Sequence, residues 1–112
     1  MAVVDLLGPS GRGPVWGTAT EDLNATLLAW TAGEGPPEHV NGERDVLIVI
    51  LDGSATFVVD GDELEASAGE LVVIPKGARR AAVAGPEGAR YLTVHTRRGG
   101  LEISRPAPSD TG

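Results

Sequence analysis

The sequence has no cysteine, and it is poor in the side chains that most often perform catalysis. Without cysteine, a disulfide framework, a thiolate zinc site and a cysteine nucleophile are all excluded. The chain has two histidines and one tyrosine, so acid–base chemistry has few candidates. The two imidazole side chains are those of His39 and His95.

Long apolar runs and a basic leader are also absent. The most apolar run, residues 46–51, is far shorter than the roughly 20 residues of a membrane helix, and the start of the chain lacks the basic residues of a secretory signal. We therefore expect a cytoplasmic protein without a membrane partner. A net charge of −7 offers no broad basic surface, so we expect no nucleic-acid partner.

Glycine and proline are abundant, and they divide the chain into short β-prone segments. A length of 112 residues suits one domain. Asp60-Gly61 predicts a two-residue hairpin, because a type I′ turn needs positive φ at both positions, and further turns are predicted at 52–53, 68–69, 75–77 and 85–88. The predicted strands are 24–31, 38–41, 45–51, 55–60, 63–67, 71–74, 79–84 and 91–97. This pattern is typical of a jelly roll.

The segment 46–51 is apolar on both faces, so a strand here must be covered on both sides. In a small barrel one face fills the interior, and the other needs a layer from the N-terminal segment or from a second subunit. The chain is accordingly divided into an N-terminal arm, 1–23, that forms part of the barrel or a dimer interface, a single barrel domain, 24–103, and a flexible tail, 104–112. We expect a homodimer.

Two motifs in the middle of the chain carry a family resemblance. The first consists of Gly33, His39, Asn41, Val46 and Gly53, and the second of Gly69, Pro75, Gly77 and Arg80. Their glycines, proline and first histidine match the two motifs of the cupin superfamily, which the chain resembles from about residue 30 to residue 95. The resemblance implies an all-β fold, a cupin double-stranded β-helix (jelly-roll) barrel with an N-terminal covering arm.

The departures from those motifs concern the metal ligands. Cupins that hold a divalent metal use histidines and a glutamate, and the resemblance places His39, Asn41, Val46 and Arg80 at the corresponding positions. An amide is a weak ligand, valine donates nothing, and a guanidinium does not deprotonate to ligate a metal. We therefore expect no cofactor and no metal at the usual cupin position.

The remaining polar groups predict a pocket without a metal. Residues two apart on a strand share a face, so His39 points with Asn41, and Tyr91 points with His95. Arg80 facing them would make a donor-rich site for a carboxylate, phosphate or carbonyl oxygen. The candidate ligand-binding residues are therefore His39, Asn41, Arg80, Tyr91 and His95. The sequence leaves open which face of the last strand points into the barrel.

Three functions fit these residues, and no catalytic residue is assigned among them. The first is a metal-free barrel that binds a small anionic or carbonyl-bearing metabolite, non-catalytic or sensory. The second is a small acid–base enzyme, an isomerase, epimerase, cyclase or lyase, with His39 as base and Arg80 stabilising an oxyanion. The third has a divalent transition metal at a rebuilt site of His39, Asp45 and His95.

Each site residue also has a structural interpretation. His39 could hydrogen-bond a backbone carbonyl, and Asn41 with Gly42 could form a turn. Arg80 could form an internal salt bridge with Glu43 or Asp45.

Overall fold

The computed structural model describes residues 2–40 and 44–97, and every regular element in these ranges is a β-strand. The strands are β1 (Gly13–Ala19), β2 (Leu23–Trp30), β3 (His39–Val40), β4 (Val46–Val59), β5 (Asp62–Ser67), β6 (Leu71–Ile74) and β7 (Arg79–Thr96). The described residues contain no helix capable of spanning a membrane. The predicted all-β fold is confirmed.

Two long strands, β4 and β7, run through both sheets of the molecule. The first half of β4 pairs with β6 and with the second half of β7, and β2 and β1 extend this first sheet. The second half of β4 pairs with β5 and with the first half of β7, which also pairs with β3 in the second sheet. Antiparallel sheets that share their longest strands fold over one another, which confirms the predicted jelly-roll barrel.

Both long strands bend where the sequence predicts turns. Gly53 has φ +74° inside β4, and an added Cβ there would overlap the carbonyl oxygen of Gly88. Residues 85–88 remain within β7 and form a bulge, because Ala84 pairs with Ala55 and Ala89 pairs with Gly53, which leaves only Ser54 between the two pairs on β4. The turns predicted at 52–53 and 85–88 are therefore wrong. Each strand continues in the same direction beyond its irregularity, and β4 and β7 pair again there. Four predicted strands consequently form two.

The hairpin predicted at Asp60-Gly61 is present. Both residues have positive φ, +49° and +88°, as a type I′ turn requires, and the turn joins β4 directly to β5. The turns predicted at 68–69 and 75–77 are also present. Of these three turns, Asp60-Gly61 is the one that joins two paired strands, since β5 does not pair with β6 and β6 does not pair with β7.

The core lies between the two sheets. Val46, Ile48 and Ile50 point inward from the first half of β4 with 1–2% of their surface exposed, and Phe57 points inward from the second half with 1% exposed. The Phe57 ring meets the Tyr91 ring edge to face, with ring centres 5.6 Å apart and planes inclined by 65°. This aromatic contact joins the second sheet to the first.

Part of the N-terminal arm, 1–23, forms a strand, β1, whereas the predicted strands begin at residue 24. β1 pairs with β2, with a register shift between Pro14 and Trp16. Before β1 the Leu6 carbonyl oxygen accepts a hydrogen bond from Arg90 Nη1 of β7 at 3.2 Å. Leu27 points away from the core side of β2 and is nevertheless fully buried. The predicted tail, 104–112, lies outside the described residues.

Part of the outer face of the first sheet, on β4 and β6, is exposed. Leu47 of β4 and Leu71 and Val73 of β6 are 41%, 55% and 56% exposed. In the β4–β6 register Leu47 pairs with Val73 and Val49 with Leu71, so these side chains are contiguous. We call Leu47, Leu71 and Val73 the outer apolar patch.

Candidate functional site

A cavity of about 210 Å³ lies between the two sheets. Leu28, Ile48 and Phe57 give it an apolar floor. Its other lining residues are the predicted site residues and further polar side chains, together with Pro36, Pro37, Ala81 and Ala82. An apolar cavity with a few convergent polar groups is the usual form of a small-molecule site.

The structure brings four of the five candidate ligand-binding residues to this cavity. His39, Arg80, Tyr91 and His95 all line it, and Asn41 lies outside the described residues. Because Tyr91 and His95 line the cavity together with Thr93, this face of β7 points inward, which settles the orientation that the sequence left open.

Arg80 and His39 contact each other directly, because β3 and β7 place them opposite one another. Arg80 Nε donates to His39 Nε2 at 3.2 Å, and Arg80 Nη2 lies 3.0 Å from the same nitrogen. A guanidinium has only donors, so this imidazole nitrogen must accept. Burial lowers the pKa of His39, the Arg80 charge lowers it further, and a hydrogen bond with the Pro37 backbone opposes both effects. His39 is therefore a neutral imidazole that orients the guanidinium.

The Arg80 guanidinium faces no carboxylate in the described ranges, where the salt bridges within 4 Å join other residues. The proposed pairing with Asp45 is wrong, because Asp45 Oδ1 instead accepts a hydrogen bond from the Lys76 backbone nitrogen at 2.9 Å. Glu43 lies outside the described residues. Burial lowers the pKa of Arg80, which reflects the cost of holding its charge away from water.

Tyr91 is 2% exposed and forms part of the cavity wall. Its hydroxyl oxygen accepts a hydrogen bond from Trp30 Nε1 at 3.1 Å. Burial raises the pKa of the phenol, while the Trp30 bond and the Arg80 charge each lower it. Nothing in the sequence indicated the Trp30 contact, because the two residues are brought together only by the pairing of β2 with β7.

The remaining polar wall comes from matched positions on β2 and β7. Asn24 pairs with His95 and Thr26 pairs with Thr93, and Thr93 Oγ1 donates to the Thr26 carbonyl oxygen at 3.4 Å. His95 Nδ1 lies 3.0 Å from the Thr96 carbonyl oxygen. Asn24 and Thr26 were not predicted as site residues. The signal for them in the sequence is their i, i+2 spacing with Leu28, which places all three on one face of β2.

The cavity residues do not fit the metal that cupins often bind. His39 Nε2 is occupied by the Arg80 guanidinium, and Val46, at the glutamate position, is a core residue with no donor atom. The structure does not bring the three residues of the rebuilt site together, and Asp45 Oδ1 instead accepts a hydrogen bond from the Lys76 backbone nitrogen. Across residues 2–40 and 44–97, no three histidine or carboxylate side chains gather as a metal site.

Comparisons with known proteins agree with this architecture. The structure is similar to that of TT1209 from Thermus thermophilus, with a TM-score of 0.75 and 22% identity over 86% of this chain and 97% of that one. It is also similar to KdgF from Halomonas sp., with a TM-score of 0.68 and 21% identity over 77% of this chain and 79% of that one. At these identities the likeness shows the fold.

Sequence comparison points the same way. Acetate kinase EutQ of Clostridioides difficile (strain 630) is 28% identical over 81 residues, which cover 72% of this chain and 45% of that protein. This chain therefore spans about half the length of that curated relative. The family described as Cupin domain matches residues 27–95, more than half of the sequence. The chain belongs to the cupin domain family.

Proposed function

We propose that this chain binds a small anionic metabolite in the cavity, without catalysing a reaction on it. The observation that carries the proposal is the Arg80 guanidinium, which is half-buried in the cavity wall and has no carboxylate within 4 Å among the described residues. A desolvated charge without a counter-ion costs free energy. An anion in the cavity would offset that cost by accepting hydrogen bonds from the guanidinium.

The His39 contact supports binding over acid–base catalysis. A general base needs a free lone pair directed at the substrate, and the His39 Nε2 lone pair is used by Arg80. His39 could take a proton from a substrate only after the guanidinium moved away. A neutral imidazole that fixes a guanidinium instead prepares a rigid donor group for a ligand.

The proposal is tested by thermal unfolding with acetate, benzoate and phosphate at matched ionic strength and neutral pH. A ligand at about ten times its Kd stabilises the native state by about 1.4 kcal/mol, which moves the midpoint by several degrees. We expect at least one of these anions to produce such a shift in the wild type.

Arg80→Gln is the informative variant, and Arg79→Gln is its matched control. Arg79 is the preceding residue on β7, and its exposed side chain lies 3.6 Å from Glu38. We expect the anion-induced shift to persist in Arg79→Gln and to disappear in Arg80→Gln. The proposal fails if none of the anions shifts the wild type, or if the shift is as large in Arg80→Gln.

A further inference from the structure

We infer that the cavity takes a monocarboxylate with a compact apolar body, whose carboxylate is held jointly by Arg80 and the Tyr91 hydroxyl. This inference rests on the proposed function, to which it adds the class of ligand and a second donor.

The Tyr91 hydroxyl retains a hydrogen that it can donate. Trp30 Nε1 is a donor only, so the phenol oxygen acts as acceptor in the Trp30–Tyr91 bond. The phenol hydrogen is therefore left to donate elsewhere, and within the described ranges no protein oxygen accepts it. Because Tyr91 lines the cavity, a ligand bound there can accept this hydrogen.

The two donors, Arg80 and Tyr91, lie near each other in the cavity wall. Arg80 and Tyr91 line the same cavity, and they are near enough that the guanidinium lowers the pKa of the phenol. An ionised carboxylate only accepts hydrogen bonds, and it has two oxygens to place against two donor groups. The pair is therefore matched to one carboxylate.

The charge of the lining residues determines the charge of the ligand that fits. Arg80 is the only arginine or lysine among the described lining residues. His39 is neutral, and its available nitrogen faces the guanidinium as an acceptor. One permanent positive charge balances a monoanion, whereas a phosphate dianion would keep an unpaired charge in a partly desolvated site.

The volume of the cavity limits the size of the apolar part of the ligand. Benzene occupies an engineered apolar cavity of about 150 Å³ in another protein, and the cavity here measures about 210 Å³. The difference leaves room for a carboxyl group beside a six-membered ring. Leu28, Ile48 and Phe57 supply the apolar contacts for that ring. A ligand of about six to ten non-hydrogen atoms follows from this comparison.

Titration calorimetry on the full chain with four probes tests the ligand class. Benzoate carries both the ring and the charge, acetate only the charge, benzyl alcohol only the ring, and phosphate a larger charge. We expect benzoate to bind at least tenfold more tightly than acetate or phosphate, and benzyl alcohol not to bind. Tighter binding of acetate or phosphate overturns this inference and leaves the proposed function intact, whereas no binding of any anion overturns both.

Tyr91→Phe and Trp30→Phe test the second donor. Tyr91→Phe keeps the ring and removes the hydroxyl, so we expect benzoate affinity to fall about tenfold or more. Trp30 is a positioning residue, and Trp30→Phe should weaken benzoate binding less. Trp16→Phe, on β1, is the control and should bind benzoate as the wild type does. Unchanged affinity in Tyr91→Phe overturns the role of the hydroxyl.

Phenol titration provides a readout that can be taken on the wild type as well as on a variant. The chain has one tyrosine, so the phenolate absorbance reports Tyr91 alone. A carboxylate that accepts the phenol hydrogen stabilises the protonated form, and we expect benzoate to raise the Tyr91 pKa in the wild type. Trp30→Phe should raise it without benzoate, because the Trp30 bond lowers that pKa. A Tyr91 pKa that saturating benzoate leaves unchanged places the carboxylate elsewhere and refutes the inference.

Discussion

Replacing Phe57 with alanine removes the aromatic contact that joins the two sheets. The ring is 1% exposed and meets Tyr91 edge to face. A buried Phe→Ala change costs about 3–5 kcal/mol. One side of this ring already faces the cavity rather than packed atoms, so we expect a loss near the lower limit, about 3 kcal/mol. Phe57→Leu retains most of the apolar volume and should cost about 1 kcal/mol.

Urea unfolding followed by circular dichroism measures both losses. With a slope of about 1–2 kcal/mol per molar urea, Phe57→Ala should lower the midpoint by about 2 M. Val83→Ala is the control, because Val83 is an apolar residue of β7 that is 49% exposed, and we expect it to cost well under 1 kcal/mol. A Phe57→Ala loss no larger than that of Val83→Ala would refute the assignment of Phe57 as the inter-sheet contact.

Two further predictions concern His39 and the outer face. Folding lowers the pKa of His39 below its usual value of about 6.5, so its contribution to stability is present above that pH and is lost as the pH falls through the folded pKa. As the pH falls from about 7 to about 5, the wild type should therefore lose stability relative to His39→Gln. A difference in unfolding free energy that stays constant over this range contradicts the prediction. The homodimer also remains a prediction: we expect a second copy to cover the outer apolar patch about a two-fold axis, because Leu47, Leu71 and Val73 are 41–56% exposed. Light scattering should then give a dimer for wild type and Val83→Lys and a monomer for Leu71→Lys with Val73→Lys, and a monomeric wild type would refute it.

The parts of the fold that the sequence predicts are those governed by local backbone chemistry. Asp60-Gly61 specifies its hairpin because the turn type depends on the φ values of those two residues. Gly53 also has positive φ, but it forms a bend inside a strand. The same local signal serves a turn or a bulge, and only the long-range partner, here the backbone at Gly88, decides between them.

The candidate site divides in the same way. Motif spacing led to His39 and Arg80, because the family resemblance places both positions in the barrel. Asn24 and the Trp30–Tyr91 hydrogen bond were not predicted, since these contacts arise from pairing between β2 and β7. Sequence periodicity assigns residues to faces of a strand, but it does not state which strands become neighbours.

In the proposed ligand site, the span between the two donors depends on the bend within β7. Arg80 lies before the bend at 85–88 and Tyr91 lies after it, so one strand supplies both proposed donors, on opposite sheets. The bend thus acts as a spacer between a fixed cation and a fixed hydroxyl. Lengthening or shortening it would change the span between the donors, and with it the size of acid admitted, while every residue that touches the ligand stayed the same.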